Sequence, residues 1–302
     1  MNNNILTVNG INLWYESFGD KKVPAILLIM GNSAQGIMWP EDFCQSLAEK
    51  KRYVIRFDNR DTGLSTCIDY NKDPYDLFDL AKDALGLLDA LQINKVHIVG
   101  LSMGGSIAQL LAIHHADRIL SITSMMSSPD LSVKNDAFQG KDTTNAKLPP
   151  PKKEFVAAVI DLNKTQPESR QEKIKTVVAN WRLANGTKAQ FDESYWQQLI
   201  ETAMQREESN PDAKNLKFAN QSNHSKAQMA TTEPNLNTLK LISVPTLVIH
   251  GSEDPVFPPP HAVTVADTVP NGKLLLIDNM GHALNPIFFE KIITAIVAHT
   301  SI

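Results

Sequence analysis

Strand-length apolar runs alternate with helix-length amphipathic segments through the first 128 residues of the chain, and this alternation constrains the fold more than any other feature of the sequence. Ala25–Met30, Tyr53–Phe57, Val96–Val99 and Ile119–Ser124 are short and almost wholly apolar, as expected of strands buried on both faces. Between them Asp42–Lys50, Leu77–Leu91 and Met103–His115 carry apolar residues at helical spacing. Repeated strand-helix alternation demands parallel pairing, because each helix returns the chain to start the next strand in the same direction. A hairpin precedes the pattern: Ile5–Val8 and Ile11–Tyr15 flank Asn9-Gly10, a two-residue turn that favours positive φ at both positions.

The alternation stops at about Pro129 and returns after Ser243. The intervening stretch holds no strand-like run, only polar loops and amphipathic segments at Glu154–Leu162, Glu168–Leu183 and Glu193–Gln205, with Lys147–Lys152 as a proline-stiffened linker. Pro245–His250, a following helix, Lys273–Ile277 and the closing helix Phe288–His299 then complete the α/β pattern. The expectation is a mostly parallel central sheet flanked by helices, with a core from residues 1–128 and 244–302 and a helical cap from 129–243. Such a cap belongs over the carboxyl edge of the sheet, where open α/β sheets bind ligands.

The bulk properties exclude several function classes. The 302 residues are 42% hydrophobic and carry a formal net charge of −4, with no basic run to draw the chain onto nucleic acid or anionic lipid. Cys44 and Cys67 share no metal-ligand spacing, and suit a reducing compartment without pairing. The start of the chain lacks the basic and apolar regions of a signal peptide, and the longest apolar run is far short of the roughly 20 residues of a membrane helix. A soluble, cytoplasmic protein without nucleic-acid or membrane partners is expected.

Gly100-Leu-Ser-Met-Gly104 lies between the strand ending at Val99 and the helix that follows, and fits the nucleophile elbow Gly-x-Ser-x-Gly. A sharp strand-to-helix turn exposes Ser102, and side chains two residues before and after it would collide. A serine hydroxyl needs a base. Of the eight histidines, His97 lies inside a strand, His114 and His115 end a helix, His224 is in the cap, His250 ends a strand, and His261 and His299 are on helices. His282 alone sits on a loop after a strand at the carboxyl edge, which makes it the candidate base. Asp254, just past Pro245–His250, is the candidate orienting acid, with Glu253 and Asp130 as alternatives.

Acyl transfer also develops a negative oxygen that needs fixed N–H donors. The Met103 amide, directly after the nucleophile, is one candidate, and the Asn32 amide in the loop after Ala25–Met30 is the other, with Gly31 allowing close approach. Trp181, Phe191, Tyr195, Trp196, Met204 and Phe218 are the large apolar side chains of the cap helices expected over the elbow. Most should glue the cap to the core while one or two line the pocket. Gly31, Trp181 and Trp196 are the candidate substrate-binding residues.

Arg56-Phe-Asp-Asn-Arg-Asp-Thr-Gly-Leu-Ser65 resembles the loop after the fourth strand of the α/β-hydrolase superfamily, usually Asp-x-Arg-Gly-x-Gly-x-Ser, with Asp61 in place of the first glycine. Met30-Gly31 in place of the common His-Gly, together with Trp181-Arg182, Val244–Ile249 and Met280–Leu284, is similar to the aclacinomycin methylesterase branch. The chain order Ser102, Asp254, His282 is the one that fold uses. The resemblance implies a serine esterase with a small-molecule ester substrate and no cofactor. It leaves the substrate and the oligomeric state open. Within the loop, Asp58 and Arg60 are read as knitting residues, joined by charged hydrogen bonds. Lactone, thioester, carbon–carbon or perhydrolysis chemistry would use the same triad, whereas haloalkane and epoxide hydrolysis in this fold needs an aspartate nucleophile. A binding protein on the same fold would be expected to have lost a triad member, and none is missing.

Overall fold

The computed structural model describes residues 4–212 and 221–301. Among these, eight strands form one sheet in the order β1-β2-β4-β3-β5-β6-β7-β8. They are β1 Ile5–Val8, β2 Ile11–Phe18, β3 Ala25–Ile29, β4 Tyr53–Phe57, β5 Val96–Leu101, β6 Ile119–Met125, β7 Thr246–Gly251 and β8 Gly272–Ile277. β1 and β2 form the hairpin, turning at Asn9 (φ 51°) and Gly10 (φ 81°). The far half of β2 then pairs antiparallel with β4, so this strand runs three residues beyond its expected end at Tyr15. From β4 to β8 every pairing is parallel.

Side-chain alternation divides the apolar strands between two cores. Leu27 and Ile29 of β3 face one layer, which includes helices α2 (Leu77–Ala90), α3 (Met103–His114) and α9 (Pro260–Thr268). Ile26 and Leu28 face the other, shared with α1 (Glu41–Glu49) and α10 (Phe289–His299). With both faces covered, the central strands β3 to β7 are buried almost throughout, and the polar side chains they carry, among them His97 and Ser121, are buried too. The first return of the chain places β4 on one side of β3, and the next places β5 on the other. The carboxyl ends of β3 and β5 therefore border the crevice at the point where the winding reverses, the usual ligand site of such sheets.

The inserted segment is helical: α4 (Ser132–Phe138), α5 (Lys153–Leu162), α6 (Arg170–Ala184), α7 (Glu193–Ser209) and α8 (Gln221–Ala230). α6 starts on a reciprocal cap in which Ser169 accepts from the Glu172 amide and Glu172 accepts from that of Ser169. α4 and α8 lie in stretches the sequence pattern suggests are loops. In α8 the buried side chains are largely polar, namely Asn223, His224 and Gln228, so hydrophobic periodicity gives no signal there. No helix among the described residues is long and apolar enough to cross a membrane.

Candidate active site

Four loops at the carboxyl edge of the sheet converge on Ser102. The serine itself sits at φ 56° and ψ −117°, a left-handed conformation that non-glycine residues rarely hold. It persists because the surroundings fix it: the Ser102 amide donates to the Met125 carbonyl at 2.9 Å, and the Ser127 hydroxyl donates to the Ser102 carbonyl at 2.7 Å. The two elbow glycines are required by packing. A Cβ on Gly100 would run into the Gly104 carbonyl, and one on Gly104 into the backbone of Ile29.

His282, between β8 and α10, places Nε2 3.0 Å from Ser102 Oγ and Nδ1 2.8 Å from Asp254 Oδ2. Asp254 is fully buried just past β7, where its Oδ1 accepts from the amides of Val256 and Phe257, both at 2.8 Å. Burial opposes ionisation of this carboxyl, but the facing His282 and His250 and the bonds it accepts outweigh that, so its pKa lies below the ordinary value. An ionised carboxylate only accepts, so His282 donates from Nδ1 and leaves Nε2 free to accept the Ser102 proton. The alternative acids do other work. Glu253 pairs at the surface with Lys188 and Lys152, and Asp130 Oδ1 accepts from the amide and the hydroxyl of Ser132, at 2.8 and 2.6 Å. His250, 3.5 Å from Asp254 Oδ2, is buried with Nε2 2.7 Å from the Phe257 carbonyl, and its burial favours the neutral form.

The loop after β3 brings Gly31 against the serine, where an added Cβ would lie 3.1 Å from Ser102 Cβ. The amides of Asn32 and Met103 have no hydrogen-bond partner among the described residues. Met103 opens α3, so its N–H is one that the helix itself cannot satisfy. Helix α8 holds the loop at two points. Gln228 Nε2 donates to Asn32 Oδ1 at 2.7 Å, and the Ser33 amide donates to His224 Nδ1 at 2.9 Å while His224 Nε2 donates to the Arg60 carbonyl at 2.8 Å. Neither His224 nor Gln228 is marked out by the sequence. They are polar residues on a polar helix, and their role comes from tertiary placement alone.

Residues 24–287 match the family model for the alpha/beta hydrolase fold. The chain belongs to that family. It is 34% identical over 306 aligned residues to rhodomycin D methylesterase DauP of Streptomyces sp. (strain C5), covering 98% of this chain and 97% of that one. A second rhodomycin D methylesterase, DnrP of Streptomyces peucetius, is 32% identical with the same coverage. The relation to the methylesterase branch is thus carried by the full length. The fold is matched by a crystal structure of a hydrolase from Pseudomonas aeruginosa PA01, with a TM-score of 0.73 and 24% identity, over 100% of this chain and 99% of that one. This chain is an ester-cleaving hydrolase of the serine type.

In this hydrolase a chamber of about 520 Å³ opens over the elbow, lined by Ser102, His282, Gly31 and Asn32 from the core and by α4, α5, α6 and α8 from the cap. Trp181 of α6 lines it, as does Lys134 of α4, a residue that no sequence pattern singles out. Trp196 does not, which corrects the expectation for that residue. It is 1% exposed and stacks between Trp181 (centroids 4.9 Å apart) and Phe191 (5.6 Å), so it stands behind Trp181 as packing. Met204 lines a larger neighbouring cleft of about 1000 Å³ that Ser102 and His282 do not border. Tyr195 packs edge-on against Trp196, and Phe218 lies outside the described residues. Among the described residues no group of three or more His, Cys, Asp or Glu is arranged to hold a metal ion.

The loop that carries the superfamily resemblance is structural. Asp58 accepts from the amides of Gly36 and Leu64 and pairs at 2.6 Å with Arg206 of α7, so it joins the core to the cap. Arg60 makes a two-point bond to Asp83, at 2.6 and 2.8 Å. Asp61 occupies φ 69°, a backbone region that glycine adopts without strain. Its carboxylate is held by the Ile68 amide, the Tyr75 hydroxyl and Asn223, and these bonds offset the strain.

Proposed function

We propose that the protein hydrolyses the carboxylic ester of a small molecule, a methyl ester in the first instance, with Ser102 as nucleophile, His282 as general base and acid, and Asp254 as the orienting anion. The observation that carries this reading is the unbroken line of hydrogen bonds from Ser102 through His282 to Asp254, set beside the amides of Asn32 and Met103, which have no partner among the described residues. Ser102 Oγ attacks the carbonyl carbon as its proton passes to His282 Nε2. The carbonyl oxygen becomes an oxyanion held by the two amides. Collapse expels the alcohol, which takes the proton from His282, and leaves Ser102 acylated. Water then repeats the sequence, its proton going to His282 and the acyl group leaving as the acid.

The full-length relation to two rhodomycin D methylesterases supports a methyl ester as the bond, and a chamber of about 520 Å³ is of a size for a small organic acyl group. The test is a panel of methyl and p-nitrophenyl esters of graded size, run with the wild type and Ser102→Ala, together with labelling by a fluorophosphonate probe. Turnover and labelling should both vanish in the variant while circular dichroism stays native. Undiminished ester hydrolysis by folded Ser102→Ala would overturn the proposal.

A further inference from the structure

Among the described residues that line the chamber with Ser102 and His282, Lys134 is the one lysine, arginine, aspartate or glutamate side chain. Its ammonium donates to the neutral side-chain oxygen of Gln228 at 2.7 Å, and it forms no ion pair among the described residues. An ammonium has three donors, and a half-buried cation without an anion is costly. Gln228 cannot turn to serve it better, because Nε2 is committed to Asn32 Oδ1 at 2.7 Å and to the His224 carbonyl at 3.2 Å. The rest of the cap wall of the chamber is apolar or neutral, with Phe138, Phe155, Val159, Trp181 and Met229 prominent in it.

Resting on the reading of this chamber as the ester site, we infer that Lys134 is a specificity residue that binds an anionic oxygen on the acyl part of the substrate, a carboxylate or an acidic enol or phenol. The ester carbonyl then sits at Ser102 and the Asn32 and Met103 amides, while the anionic group lies against α4 as the counter-charge that no described residue provides. Burial alone pulls the Lys134 ammonium down to about 8, with no neighbouring charge contributing, and a bound anion restores its hold on the proton. The preference arises from a neutral, largely apolar wall that favours small organic acids over hydrated inorganic anions.

The experiment compares p-nitrophenyl butyrate with p-nitrophenyl hemisuccinate, each rate divided by its hydroxide-catalysed rate, in the wild type, Lys134→Met and Lys134→Arg. The wild type should favour the hemisuccinate, and Lys134→Met should lose about tenfold or more of kcat/KM on it, through KM, while butyrate loses much less. Lys134→Arg, which keeps the charge, should retain a substantial part of the preference. Lys134→Met should change the melting temperature little, since removing a cation without an ion pair among the described residues offsets the lost bond to Gln228 Oε1 and the unbranched stem is kept. A wild type without preference for the anionic ester overturns the inference and needs no variant. An equal fall in kcat on both esters overturns it too, since Lys134 then acts only by bracing Gln228 and the Asn32 loop. Neither result touches the ester-hydrolase reading, which fails only if butyrate hydrolysis survives Ser102→Ala.

Discussion

The backbone amide of His282 donates to the carbonyl of Ala184 at 2.7 Å, so the loop that carries the imidazole is fastened to the last residue of a cap helix. Cap and core meet at the backbone of the residue that carries the imidazole, and Gly281 allows it: a Cβ there would strike the backbone of Asn185 and the Ala184 carbonyl. Gly281→Ala is therefore expected to push His282 away from Ser102. Because a shift of about 1 Å in such a group costs on the order of a hundredfold, kcat should fall by about that factor. Fluorophosphonate labelling should slow in parallel. Full activity in a folded Gly281→Ala protein would show that the junction yields without moving the imidazole.

Asp254→Asn should cut turnover by about 10⁴, as loss of the orienting anion does in related triads. The amide can still accept from Val256 and Phe257, so the β7 loop should keep its shape. Glu253→Gln and Asp130→Asn should each leave turnover within a few-fold of the wild type, since the first pairs with surface lysines and the carboxylate of the second only accepts from Ser132. Single-turnover kinetics on a p-nitrophenyl ester distinguish the three variants. A large loss from either of the other two would reassign the acid.

The strands and the principal core helices are readable in the sequence within a few residues, because each face of the sheet is buried and apolar runs of strand length leave little else to form. Ser102, Asp254 and His282 are readable too, since each follows a strand and the alternation alone puts those strand ends on one edge. The cap was legible only where its helices bury apolar side chains. Gln221–Ala230 buries His224 and Gln228 instead, and Ser132–Phe138 has only Val133 fully buried. What these helices contribute to the site depends on which loop they meet, and no local pattern encodes that. Trp196 illustrates the converse. Its bulk marks it as important, yet bulk alone cannot say whether a ring faces the chamber or the tryptophan in front of it.

Acid should destabilise the fold through its buried imidazoles. Burial pulls His97 from 6.5 to about 4, and also lowers His224, His250, His261 and His299. The unfolded chain takes up these protons below about pH 6.5, while the folded protein holds them off until lower pH. The stabilisation is therefore complete above pH 6.5 and is lost as pH falls toward 4. Melting temperature should drop between pH 7 and pH 5. In His97→Asn, where one such group is gone and a partner for Ser121 remains, the slope should be shallower. Parallel slopes for the two proteins would mean that His97 already binds its proton in the folded state.

The stacked pair Trp181 and Trp196 should separate into two kinds of variant. Trp196 is enclosed by Trp181, Phe191 and Tyr195, so Trp196→Ala leaves a cavity inside the cap and should cost about 3–5 kcal/mol. Trp181 has one face on the chamber and the other on Trp196, and it is only half-buried. Trp181→Ala should enlarge the chamber at a smaller cost in stability, because part of its surface is already exposed. The expected outcome is a lower melting temperature with an unchanged order of preference in Trp196→Ala. In Trp181→Ala the ranking should shift toward bulkier acyl groups. The measurement is kcat/KM over an acyl-length series, with a melting curve for each variant. If Trp181→Ala leaves the ranking as it was, acyl size is set by α4, α5 and α8 instead, and Phe138 and Met229 become the residues to truncate next.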